Sequence, residues 1–354
     1  MKGNKLIILS AILVVVVAII ILGNKLGNKA PSEKDLKFFP AITAQSIGSI
    51  TITEGTNVIK VRRKGGVWAV AKTTPNASGS AASPLAASDS ANTASTAAAG
   101  EKEYPVDSAS IASALEKIVS IKKDALVSEN TEKQTLFEVD SVKGLVIDLA
   151  DVSGKAIGTL IMGKSGPDYN SNYVRTKGSN SVYMAFGGAR YSFFTDLNRW
   201  RDKTVLNFDK STAKGLTIVR RDSATVTLAK ADSGNTWSIL QPIASPARSE
   251  EVESMIEKLA QFNTTDYQDE VLADSAMGFD KPTLGITVSL KNGSSRNLII
   301  GKKNSDNKYW VKTDGKEQVF LVAEYTVNPI DKKLGDLKAD PPAPAVPADT
   351  PKKK

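Results

Sequence analysis

Apolar and polar residues alternate in short runs along most of the chain. SITIT (residues 49–53), VIKVRR (58–63), GLTIVRR (215–221) and TVTLAK (225–230) each repeat with a period of two. That period marks half-buried antiparallel strands. Twice the spacing changes to three and four. Ile111, Leu115, Ile118 and Ile121 form one such set, and Val252, Ile256, Leu259 and Phe262 form the other. Each set predicts a helix with a core-facing stripe. Asp107 and Ser249 stand where N-caps belong. Four more short strands and a second helix, at residues 189–200 and 324–335, complete each half of the pattern.

The halves resemble each other in detail. GGVWAV (65–70) matches GNTWSI (234–239) at a separation of 169, and ALEKIVSI (114–121) matches MIEKLAQF (255–262) at 141. GLVIDL (144–149) matches GITVSL (285–290), also at 141, and LIMGK (160–164) matches LIIGK (298–302) at 138. NYVRT (172–176) and SVYMA (181–185) match YWVKT (309–313) and QVFLV (318–322) at 137. Matches kept in order across the chain indicate a tandem duplication. The predicted fold is therefore α+β: two similar lobes of mostly antiparallel sheet plus helices, with lobe 1 over residues 31–208 and lobe 2 over 209–338. The separation falls by 28 at the Ala/Ser/Thr-rich tract 73–100. That tract lacks the aromatic residues a core needs and reads as an inserted loop. Residues 339–354, rich in Pro, Ala and Lys, read as an extended tail.

Residues 6–22, LIILSAILVVVVAIIIL, carry no charge and have lysines on both sides. Their length suits a membrane span, so residues 1–30 are expected to be an uncleaved transmembrane anchor and linker. A cleaved signal peptide is the competing reading, but no A-x-A site follows. Lys2 and Lys5 favour a cytoplasmic N-terminus, which places the bulk of the chain on the extracytoplasmic side of the inner membrane. The net charge of +8 does not change this picture. Without the seven lysines of residues 1–29 and 352–354, 39 basic residues face 38 acidic ones, so no nucleic-acid footprint is left. The chain has no Cys and no His, which removes disulfides, thiolate chemistry and the commonest acid/base and metal ligand. No catalytic, cofactor or metal site is expected.

Two motifs test that expectation. GTLIMGKS (Gly158 to Ser165) fits the phosphate-loop pattern G-x-x-x-x-G-K-S. The residues between its glycines look like a strand, Gly166 and Pro167 follow where a helix should open, and the counterpart SRNLIIGKKNS loses the first Gly and the Ser. No nucleotide is expected there. STAK (211–214), SDN (305–307) and KTDG (312–315) imitate the elements of penicillin-binding enzymes. STAK, however, runs into a strand, and the other two share one hairpin. Trp68 and Trp237 recur in both copies and read as core anchors. Trp200 has no tryptophan counterpart. With Arg199 and Arg201 beside it, it is the one candidate for partner binding, against a packing role at the junction of the lobes.

The anchor, the I-x-x-I-x-I-like run from Ile47 to Ile52, the G-G-x-W strand, the helix with L-E-K-I, the I-x-x-G-K turn, RDKTVLNF (201–208) and MGFDKP (277–282) together resemble domain of unknown function family 4340. The resemblance spans roughly residues 5–335. Copy one departs from it at LFEVDS (136–141), which has neither the Gly nor the Pro of MGFDKP. The resemblance implies a membrane-anchored envelope protein with no known catalytic residues. Members are often described as auxiliary components of ABC transport systems linked to gliding motility. The expected role is thus a non-catalytic accessory or scaffold subunit beside an ABC permease and its ATPase. The alternatives are a cell-wall or glycan-binding module, and an envelope hydrolase using carboxylates or a Ser/Lys pair that includes Lys214.

Overall fold

The computed structural model describes residues 36–73, 102–232, 234–264 and 266–340. The expected span at residues 6–22, nearly all of the 73–100 tract and the tail from residue 341 lie outside the described residues. Among the described residues, no helix is long and apolar enough to cross a membrane.

The chain divides into two compact units, one ending at Asp202 and the other beginning at Lys203. The first holds β1 (Ile47–Glu54), β2 (Asn57–Lys64), β3 (Val67–Thr73), β4 (Tyr104–Pro105), β5 (Ala125–Ser128), β6 (Leu145–Asp151), β7 (Ala156–Ser165), β8 (Ser171–Thr176) and β9 (Val182–Phe186). They form one nine-stranded sheet in the order β4-β3-β2-β1-β6-β7-β8-β9-β5. The second unit opens with β10 (Thr204–Asn207), followed by β11 (Ala213–Arg220), β12 (Ser223–Lys230), β13 (Trp237–Gln241), β14 (Ser245–Pro246), β15 (Gln261–Asn263), β16 (Asp266–Gln268), β17 (Leu284–Leu290), β18 (Ser295–Lys303), β19 (Lys308–Thr313) and β20 (Val319–Ala323). Its nine-stranded sheet, β14-β13-β12-β11-β17-β18-β19-β20-β16, repeats the first order strand for strand. β10 and β15 make a separate antiparallel pair. RDKTVLNF (201–208), expected at the end of lobe 1, instead supplies β10 to the second unit, where it pairs with β15.

In each unit the chain leaves the sheet at one edge (β4 or β14), crosses one face as a helix and re-enters at the far edge (β5 or β16). The crossing helices are α1 (Ser108–Ser120) and, after the short α2 (Leu197–Trp200), α3 (Ser249–Ala260). Ile111, Ala114 and Ile118 of α1 are buried, as are Val252, Met255, Ile256 and Leu259 of α3. They meet the inward rows of the central strands, such as Ile50 and Ile52 with Ile147 and Leu149, giving each unit its own core. Asp107 caps α1, its carboxylate accepting from the Ser110 amide at 2.8 Å. Ser249 does not cap α3. The N-cap is Arg248, and the Ser249 hydroxyl accepts from the Trp237 amide at 2.9 Å instead.

Three further details differ from the expectation. Five sheet strands follow each crossing helix instead of four, because the short edge strands β5 and β16 carry little alternation. The second helix is broken in both copies. Residues 189–200 form a 3₁₀ turn at Ala189–Ser192 and then α2, with Asp196 capping α2 through the Asn198 amide at 2.9 Å. Residues 324–335 give α5 (Glu324–Val327) and the start of α6 (Leu334–Leu337), preceded in the chain by α4 (Asp274–Met277). Pro329, without an amide hydrogen, cannot continue α5. Finally, GLVIDL and GITVSL are offset by two residues in space. Ile147 lies opposite Ile52, and Ile286 lies opposite Ile218, so the separation of these strands is 139. A slip of two keeps every side chain on its face, so the hydrophobic pattern does not register it.

Candidate functional site

The phosphate-loop pattern Gly158–Ser165 lies inside β7, and its residues pair with β6 and β8. Its second glycine has a packing role. A Cβ at Gly163 would stand 2.0 Å from the carbonyl oxygen of Phe137, and one at Gly301 would stand 2.1 Å from that of Met277. In both units a segment crosses the outer face of the sheet at this point, and only glycine lets the two backbones approach. Gly158 is pressed against the Phe39 ring, 2.8 Å from the place of its Cβ. The penicillin-binding imitation is also dispersed. Lys214 is exposed on β11, and KTDG ends β19. β17 and β18 lie between these strands, a separation of roughly 14 Å at ordinary strand spacing. Among the described residues, no group of three or more Asp and Glu side chains is placed to hold a metal ion.

The structure places Trp200 in the first core with none of its side chain exposed. Its indole N–H donates to the Phe194 carbonyl at 2.9 Å, and its ring lies 5.7 Å from that of Phe194. Arg201 is buried too, its guanidinium 3.7 Å from the centre of the Tyr104 ring. Arg199 alone is exposed, stacked 3.4 Å from the Phe194 ring centre. Trp200 also has a counterpart, though not a tryptophan. Its carbonyl accepts from the Asp107 amide as that of Leu337 accepts from Arg248, both at 2.7 Å. The WR pair thus holds the start of α1, and a partner finds no indole surface to grip.

Trp237 is fully buried, and its indole N–H donates to Glu253 Oε1 at 2.7 Å. Lys230 Nζ reaches the same oxygen at 2.7 Å. Burial acts to raise the Glu253 pKa, but the hydrogen bonds from Lys230 and Trp237 outweigh it and hold the carboxyl below its ordinary value. This group ties α3 to β12 and β13.

A surface feature remains that sequence reasoning missed. Tyr169, Phe186 and Tyr191 are 82%, 54% and 67% exposed at one end of the first sheet. Phe186 pairs with Ser171, and the Gly188 amide donates to the Asn170 carbonyl at 2.7 Å, so the three residues stand on adjoining backbone. Tyr169 has φ of +57°. Its counterpart Asn307, at +59°, is a residue type that tolerates the left-handed region, whereas a tyrosine there costs about 1–2 kcal/mol. The counterparts of Phe186 and Tyr191, at the separation of 137, are Ala323 and Asn328. Comparing the two copies at surface positions was the available signal.

The profile of the family described as Domain of unknown function (DUF4340) matches residues 97–275 and 237–343. The two matches begin 140 residues apart, in step with the duplication. No curated protein and no solved structure matches the chain.

Proposed function

Because this chain belongs to the DUF4340 family, whose description carries no activity, we propose a role from its own surface. It acts by binding, as a non-catalytic accessory subunit anchored in the inner membrane beside an ABC-type permease. The bulk of the chain then works on the extracytoplasmic side, and the transporter supplies the ATPase.

The observation that supports this reading is the aromatic patch of Tyr169, Phe186 and Tyr191. Clustered exposed rings mark interaction surfaces, and tyrosine is enriched at interfaces. A tyrosine kept in a left-handed turn, where the other copy carries asparagine, argues that the ring is held for display. Tyrosine faces also stack on sugar rings, so a glycan-binding module is the second reading of the same patch. Replacing Tyr169 with a photo-crosslinking aromatic residue in cells decides between them. A stoichiometric adduct with a permease subunit is the expected product. Recovery of wall fragments alone, with no membrane partner above background, overturns the accessory-subunit role in favour of the glycan module.

A further inference from the structure

The second unit has an open cleft of about 410 Å³ where the first is filled. We infer that this cleft binds a small hydroxylated anion, a sugar acid or a sugar phosphate, with Arg296 as its anchor. The inference stands apart from the accessory-subunit reading.

The cleft lies between β10 and the adjoining ends of β18 and β19, where Leu206, Asn207, Arg296, Thr313, Asp314 and Lys316 line it. Asp314, the one acid of this lining, accepts from the Asn297 side-chain amide. Arg296 pairs with Val288 and precedes Leu298 by two positions. Val288 and Leu298 are both wholly buried, so Arg296 continues an inward-facing apolar row. A cation on such a row is unusual. Arg296 is only half-buried, and its Nη1 donates to the neighbouring Ser295 carbonyl at 2.9 Å. Among the described residues it forms no ion pair. A partly desolvated guanidinium calls for a counter-charge, and its planar fork suits a carboxylate or a phosphate through two parallel hydrogen bonds.

The first unit serves as an internal control. There the place of Arg296 is taken by Gly158, which pairs with buried Leu149 and precedes Leu160 by two. The Phe39 ring closes on that glycine. Phe39 follows the Leu36–Phe38 segment, which pairs with Ile121–Lys123 as β10 pairs with β15. In the second unit a glycine under an aromatic cover is thus replaced by an arginine beside open space. Lys316 Nζ, which donates to the Thr204 carbonyl, adds positive charge at the rim. The Asn207 amide can hydrogen-bond to hydroxyl groups. The volume falls in the range of small-molecule sites.

Isothermal titration of the full chain in mild detergent tests this, with glucuronate and glucose 6-phosphate as probes and glucose as the neutral control. At least one anion should bind saturably and glucose should not. Which anion binds tells carboxylate from phosphate. Arg296→Gln should weaken binding about tenfold to a hundredfold. Arg296→Lys, which keeps the charge but loses the fork, should also bind more weakly and serves if the Gln variant fails to fold in a thermal melt. Absence of saturable heat for both anions up to about 10 mM, enough to fill most of even a millimolar site, overturns the inference. So does glucose binding equal to that of the anions, or wild-type affinity in a folded Arg296 variant.

Discussion

Gly163 and Gly301 show how one residue can carry a motif-like signal for a packing reason. The invariant feature of LIMGK and LIIGK is a missing side chain under a crossing carbonyl. Gly301→Ala would push a Cβ to 2.1 Å from the Met277 oxygen. We expect it to destabilise the second unit by about 3 kcal/mol, measured by urea unfolding. Glu253 makes a second residue-level prediction. Its folded pKa lies below the unfolded value, so its contribution to stability is present above the unfolded pKa. That contribution is lost as pH falls through the folded one. Thermal melts from pH 7 down to about pH 3 should show a steeper acid loss in the wild type than in Glu253→Gln, setting in at the ordinary glutamate value of about 4.3 and continuing below it. Equal slopes would remove Glu253 from the account.

At the scale of elements, the two crossing helices have the same place and similar stripes but different starts. Asp107 caps α1 with its side chain, so Asp107→Ala should cost about 1 kcal/mol in chemical denaturation. Ser249 has the residue type of a cap but serves β13 instead, a choice that depends on where the Trp237 amide lies. The crossing segments of the outer faces tell a similar story. LFEVDS lacks the glycine of MGFDKP, yet Glu138 takes the left-handed conformation (φ +57°) that Gly278 takes at +80°. Tertiary packing imposes the turn against the preference of the residue. The motif was therefore legible in copy two and hidden in copy one.

The whole molecule is one architecture built twice, each copy with a separate core. Only the connection between the third and fourth strands differs greatly in length. Pro242, Ile243 and Ala244 join β13 to β14, whereas the chain from β3 to β4 carries the Ala/Ser/Thr tract. Deleting residues 74–100 leaves Glu101, Lys102 and Glu103 to make the same step. Loop closure grows costlier by about 0.6 kcal/mol per doubling of length, so the deletion should stabilise the first unit by about 1–2 kcal/mol in urea unfolding. A large loss would assign the tract a structural role.

Strand and helix periodicity, the duplication, the inserted tract and family membership were determined by the sequence itself. All of these are local patterns, or likenesses between segments that each carry their own pattern. The tertiary structure alone decided the register of β6 and β17, since a slip of two leaves the facing unchanged. It also decided that Trp200 and Arg201 are buried, that Gly158 lies under Phe39, and that Tyr169, Phe186 and Tyr191 share one surface. Each of those facts depends on separate segments of the chain meeting in space, and no spacing along the sequence encodes that meeting.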